Sequence, residues 1–346
     1  MSGATGVAHL TDRHPSVTPE RLVAGLVPPP TFAAVDFGTY RPDPAEPSQT
    51  AAVQACLQFC DDAVTRRAGK KKLFGKREVL PGVGSYLDGG FGVGKTHLLA
   101  SIYYRLVQVD SGAKAAFATF GELTQLAGVF GFVECIDLLA DYVVVCIDEF
   151  ELDDPGNTTL ISRLLSQLVA RGVSIAATSN TLPEQLGEGR FAAQDFLREI
   201  NTLAAIFTTV RIEGPDYRHR DLPPAPEPPL DADVRAAAAE VEGATLDDFD
   251  ALCAHLATMH PSRYLALIEG VNEVFVTGVH QVDDQSVALR LVSLTDRLYD
   301  AGIPVVASGA KLDAIFSEEM LAGGFRKKYL RATSRLLALG HAGRIA

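Results

Sequence analysis

The segment Gly89-Gly90-Phe91-Gly92-Val93-Gly94-Lys95-Thr96 restricts the fold of this chain more than any other. It matches the pattern G-x-x-x-x-G-K-[ST], with a short strand expected at Gly84–Asp88 before it and a helix from Lys95 to about Val109 after it. A polyphosphate is bound by backbone N–H groups that all point inward, and glycines remove the Cβ atoms that would block such a nest. The start of the following helix adds partial positive charge. All eight residues are therefore candidate nucleotide contacts, with Lys95 reaching the β- and γ-phosphates and the Thr96 hydroxyl ligating Mg²⁺.

A second signal fixes the chemistry. The apolar run Tyr142–Ile147 reads as a buried strand that ends in Asp148-Glu149. At the carboxyl end of a central strand, Asp148 is suited to hold the Mg²⁺ shell and Glu149 to polarise an attacking water. Simple GTPases lack the adjacent acid, so the pair favours an ATPase of the additional-strand type. In such an enzyme a polar residue at the tip of the next strand lies between the acidic pair and the γ-phosphate. Asn180, after Ser174–Thr178, is the candidate; the alternative is an asparagine that only caps a turn.

Strand, crossover helix and strand alternate along this region, which predicts an α/β parallel sheet with flanking helices. The remaining expected strands are Ala115–Phe120 and Ile206–Ile212, and the expected helices include Ser48–Thr65 and Thr158–Ala170. Residues 1–35 read as a loose tail, 36–214 as the ATPase core, 215–230 as a proline-rich connector and 231–346 as a C-terminal αβ region without a nucleotide site. Within that last region a shift of 130 residues lays Leu164 and Leu168 on Leu294 and Leu298, and Gly172 on Gly302. It lays Val143–Val145 near the apolar run Val274–Val276, but no acidic pair follows; Val279-His280 stands there. Either this is a degenerate half-repeat, or another αβ unit extends the same sheet.

Apolar residues make up 47% of the 346 residues and charged residues 21%, an ordinary balance for a globular protein. No run of eighteen apolar residues suggests a membrane helix, and the N-terminus lacks the apolar core of a signal peptide, so a cytoplasmic protein is expected. Cys56, Cys60, Cys135, Cys146 and Cys253 follow no ligand spacing and read as reduced core thiols. The net charge of −12 argues against broad nucleic-acid affinity. The local run Arg66, Arg67, Lys70, Lys71, Lys72, Lys76 and Arg77 is either a solvated loop or a contact for an anionic partner.

Together these residues resemble the ZapE-like family of AAA+ ATPases, which includes bacterial cell-division proteins and mitochondrial relatives. The carriers are Tyr40-Arg41-Pro42-Asp43-Pro44, the loop Gly89–Thr96, Ile147-Asp148-Glu149-Phe150, Ala177-Thr178-Ser179-Asn180, Asp216-Tyr217-Arg218 and Ser334-Arg335-Leu336. The resemblance implies Mg·ATP hydrolysis in a homo-oligomer that acts on a protein partner, with the division machinery as the partner class. It implies a cytoplasmic protein, peripheral at the inner membrane or division site. AAA+ proteins present a trans-acting arginine between the Asn180 tip and the strand at Ile206. That segment offers Arg190 and Arg198, and because the family's Gln-Arg before Phe-Leu-Pro is absent here, both remain candidates. Phe37 and Tyr40 either stack near adenine or pack the N-terminal segment on the core. Arg218 either faces nucleotide or a neighbour, or forms a structural salt bridge; Arg331 and Arg335 supply a phosphate sensor or basic helix surface. The competing functions are a helicase-loader-like ATPase acting with single-stranded DNA and an ATP-gated scaffold with little turnover.

Overall fold

The computed structural model of the chain describes residues 7–16, 18–69, 79–109, 113–151, 155–183, 197–215 and 225–343. The chain divides into two compact units: Thr18–Pro28 with Phe32–Tyr217, and Met1–Val17 with Pro29–Thr31 and Arg218–Ala346.

In the first unit the described elements are α1 (Pro19–Ala24), α2 (Pro47–Ala68), β1 (Gly84–Gly89), α3 (Lys95–Val109), β2 (Ala115–Thr119), α4 (Phe120–Phe130), α5 (Phe132–Leu139), β3 (Val144–Asp148), α6 (Pro155–Ala170), β4 (Ser174–Ser179), α7 (Leu197–Ala204) and β5 (Phe207–Ile212). The strands form one parallel sheet in the order β2-β3-β4-β1-β5. Every residue of β1, β3 and β4 is buried, as expected where helices cover both faces. The period-two alternation of a strand sends successive side chains to opposite layers. Val145 and Ile147 join the core with Leu123, Ile136 and Leu164, whereas Val144 and Cys146 join the core with Phe59, Leu98 and Ile102. The five expected strands are all present. Helix boundaries differ for local reasons: α2 begins with Pro47 at its first position rather than at Ser48, and the Ser48 hydroxyl instead accepts from Glu213 N at 2.9 Å.

The second unit contains α8 (Asp231–Glu240), β6 (Ala244–Asp248), α9 (Phe249–Ala257), α10 (Tyr264–Leu267), β7 (Glu273–Val279), α11 (Gln285–Ala301), β8 (Val305–Gly309), α12 (Glu318–Ala322) and α13 (Arg326–Ala342). Its strands make a separate three-stranded parallel sheet, β6-β7-β8, so they do not extend the first. The order of the first unit's β2 to β4 recurs in it. Helices α6 and α11, which precede β4 and β8, are each followed by a left-handed glycine, Gly172 (φ 86°) and Gly302 (φ 67°). The following amides reach back equivalently, Val173 N to Leu168 O at 3.0 Å and Ile303 N to Leu298 O at 2.9 Å.

Two expectations are corrected here. Residues 7–16, within the expected loose tail, are docked on the second unit. Ala8 bridges to Thr245 and its carbonyl accepts from Leu246 N at 2.9 Å, which pairs the free edge of β6. The buried carboxylate of Asp247 accepts from Leu10 N (2.9 Å), Thr11 N (3.1 Å) and Thr11 Oγ1 (2.8 Å), and Leu10 is fully buried. In the first unit, buried Leu26 does the same for β2, its carbonyl accepting from Phe117 N at 3.0 Å. The other correction concerns Arg331 and Arg335, which are not basic helix surface. Both are buried on α13 and converge on Asp296 of α11, with Arg331 Nη2 donating to Oδ2 at 2.7 Å. Burial pushes the Asp296 carboxyl up, but the two guanidinium groups outweigh it and hold the group below the usual carboxylate range. The five cysteines are free and buried, and burial pushes the Cys56 and Cys60 thiols up to about 12.

Leu10→Ala should cost the second unit about 2–5 kcal/mol, the usual range for a buried leucine. Hydrogen exchange at the Leu246 and Thr11 amides should accelerate together; unchanged protection at both would show that the N-terminal stretch is not docked there.

Candidate nucleotide site

The phosphate-loop backbone has the form its sequence requires. Gly92 and Gly94 have φ of 65° and 86°, the left-handed region that turns consecutive amides inward. A Cβ on Gly89 would lie 2.3 Å from Ile212 O of β5, and one on Gly94 would lie 2.5 Å from Cε2 of Tyr40. Tyr40 therefore belongs to the loop's support. It is buried, its hydroxyl donates to Val93 O at 2.8 Å, and its ring meets His97 edge to face. His97 Nε2 in turn lies 2.9 Å from Thr39 Oγ1 and 3.1 Å from Asp36 O. Phe37 packs against the same core, so both aromatics pack the N-terminal segment on it.

At the start of α3, the Lys95 ammonium donates to Gly89 O (2.9 Å), Gly90 O (2.5 Å) and Asn180 Oδ1 (2.7 Å). The tip of β4 thus meets the loop lysine directly. Strand order explains the meeting, because β4 pairs with β1 on one side and β3 on the other. The neighbouring Thr96 hydroxyl lies 3.2 and 3.1 Å from the two oxygens of Asp148, which is buried at the end of β3. Thr178 of β4 donates to Asp148 Oδ1 and accepts from Glu149 N at 3.0 Å. Among the described residues Glu149 is the non-glycine with positive φ, 55°. Beside the loop, buried Asp88 of β1 pairs with Arg211 of β5.

A hydroxyl and one carboxylate suit Mg²⁺, which is held by few protein oxygens and takes the rest of its shell from water and substrate phosphates. The pair Thr96–Asp148 is such a donor set. The structure brings together Gly89–Thr96, Asp148, Glu149 and Asn180. Arg198 is exposed on the first turn of α7, where its carbonyl accepts from Thr202 Oγ1. Arg190, Asp216-Tyr217-Arg218 and the basic residues Lys70, Lys71, Lys72, Lys76 and Arg77 lie outside the described residues. Thr178 was legible only as a member of a motif; nothing in the local pattern shows that its hydroxyl spans Asp148 and Glu149.

A sequence profile described as "AFG1-like ATPase" matches residues 16–233 and 224–345. The cell division protein ZapE of Escherichia coli K12 is 27% identical over 325 residues, covering 80% of this chain and 86% of that protein. Lactation elevated protein 1 homolog B of Danio rerio is 24% identical over 300 residues, covering 70% of this chain and 59% of that protein. Among solved structures, that of DnaI is 20% identical with a TM-score of 0.41, covering 57% of this chain and 98% of that one. Domain III of the Thermotoga maritima replication initiation protein DnaA is 20% identical with a TM-score of 0.40, covering 54% and 69%.

Lys95→Ala should abolish ATP binding, because the β- and γ-phosphate charge is then left poorly compensated. Equilibrium binding of a labelled ATP checks this, and near-native affinity would remove Lys95 from its role.

Proposed function

The chain belongs to the AFG1-like ATPase family, and we propose that it hydrolyses Mg·ATP as a homo-oligomer to remodel or regulate a protein partner. The observation that carries the hydrolytic part of this reading is the backbone of Glu149. An L-residue in the left-handed region costs about 1–2 kcal/mol. In the second unit the residue whose amide meets the hydroxyl of the next strand is Gly278, with φ 74° and N to Ser308 Oγ at 3.3 Å. Where there is no nucleotide loop, a glycine inside β7, at the shift in its pairing with β8, takes the left-handed backbone without strain. Beside the loop a glutamate takes it, which supports a role for the carboxylate itself.

In this reading the glycine loop and Lys95 bind the triphosphate and orient its γ-phosphate. Thr96 and Asp148 would hold Mg²⁺, which neutralises phosphate charge when bound. Glu149 takes the proton of the attacking water, and Asn180, at the tip of β4, would lie between the acidic pair and the reacting phosphate. The partner class follows from the relative named for cell division, so a component of the division machinery is the protein we expect to be acted on. No helix among the described residues is long and apolar enough to cross a membrane. Association at the division site would then be peripheral.

Glu149→Gln should bind ATP, one molecule per chain, and lose turnover by about 10²–10⁴-fold, the scale of general-base catalysis. The ATP-loaded variant should retain its partner in a pull-down. Turnover within about tenfold of native would assign the base to another group.

The remaining charge in the transition state is assigned to an arginine from a neighbouring subunit, worth about 10³–10⁵ in turnover. Arg190 is favoured over Arg198. Mixing Arg190→Ala with Lys95→Ala chains should restore activity, since an intact loop on one chain meets an intact arginine on another. Specific activity that stays flat down to a monomeric concentration would show the site to be complete in one subunit.

A further inference from the structure

Thr178 is buried, and the groups it touches set it apart from the other polar residues of the core. Its one hydroxyl proton goes to Asp148 Oδ1. A lone pair on the same oxygen accepts from Glu149 N at 3.0 Å, and its carbonyl accepts from Phe150 N at 2.7 Å. A hydroxyl has one proton to give and two lone pairs to offer, so these two side-chain bonds are compatible and fix its rotor. One buried atom therefore holds both the carboxylate on the metal side of the site and the backbone on the water side.

The second unit shows which part of this arrangement is structural. Ser308 of β8 accepts from Gly278 N, as Thr178 does from Glu149 N. Its proton, however, goes to Asp231 of α8, and no acid stands at the end of β7. A hydroxyl on this strand is compatible with the fold alone. Giving its proton to the strand-end acid, and holding a left-handed glutamate rather than a glycine, belongs only to the unit with the glycine loop.

We propose that Thr178 is a positioning residue for hydrolysis: it pins Asp148 in one orientation and holds Glu149 in the left-handed turn that aims its carboxylate. This rests on the reading of Glu149 as the base. Without the hydroxyl, the Glu149 amide loses its partner beside a strained φ and the backbone relaxes, carrying the carboxylate away from the attacking water. Lys95 and the glycine loop are untouched, so nucleotide binding remains.

The test uses the full chain with Thr178→Val and Thr178→Ser, measuring labelled-ATP affinity, turnover, the Mg²⁺ concentration for half-maximal rate, and melting temperature. Thr178→Val should lose about 10–100-fold in kcat, the scale for removing a residue that orients a ligand or base. Its ATP affinity should stay near native and its Mg²⁺ requirement should rise. Thr178→Ser, which keeps the hydroxyl, should recover most of the turnover. In a Glu149→Gln background Thr178→Val should cost little more, since the two act as a unit. The proposal is overturned by native kcat in Thr178→Val, or by Ser being as impaired as Val. It is also overturned if affinity and kcat fall together with the melting temperature, which marks a packing role. A dead Glu149→Gln with an active Thr178→Val sinks this proposal alone, whereas an active Glu149→Gln sinks the base assignment itself.

Discussion

The site depends on β4 lying between β1 and β3. Parallel pairing sets the carboxyl ends of the three strands side by side, so Asp88, Asp148 and Ser179, far apart in sequence, end at one edge. From that edge β4 reaches both ways. Asn180 meets Lys95 of the loop that follows β1, and Thr178 meets Asp148 of β3. If β1 and β3 were direct neighbours, as in the simplest doubly wound sheets, neither contact would exist. The link from Lys95 of the glycine loop to the acids at the end of β3 therefore runs through the inserted strand.

That loop is also supported from outside the sheet. Gly94 has no room for a Cβ because the Tyr40 ring occupies the space, and the tyrosine hydroxyl ties the ring to Val93 O. The same glycine is left-handed, so backbone conformation and packing both demand it. Asp36, Thr39 and His97 continue the contact onto the first turn of α3. The segment before α2 therefore braces the loop from the N-terminal side, while β5 closes on Gly89 from the sheet edge.

Much of this is legible in the sequence. The glycine loop, the strand ending in Asp148-Glu149 and the Asn180 tip are each encoded within a few consecutive residues. Apolar runs of five or six identify central strands because both faces are covered. Long-range partners were not readable. Arg331 and Arg335 look like a helix surface until Asp296, 35 and 39 positions away, buries them. Residues 7–16 lack any periodicity because they are held by one fully buried leucine, a bridge to a sheet edge and the carboxylate of Asp247, some 237 positions later. Such anchors leave no periodic signature, so a polar, proline-punctuated stretch reads as loose when its bonds are made elsewhere. Thr178 is the same problem at the site: its motif is local but its two acceptor and donor partners come from the neighbouring strand.

The second unit shows what the sheet does without a nucleotide. It repeats three parallel strands in the order of β2, β3 and β4, with a left-handed glycine closing the corresponding long helix. Among its described residues there is no counterpart of β1 beside β8, and hence no loop feeding a helix N-terminus at that edge. No acid stands at the end of β7, and the left-handed residue whose amide meets Ser308 is Gly278, inside the strand. Loop, acid and strained turn are thus present together in one unit and absent together in the other. A carboxylate buried at a strand end costs solvation, and a left-handed glutamate costs backbone energy. The left-handed backbone that a glutamate takes in the first unit is taken by Gly278 in the second, so the fold itself does not call for a glutamate there.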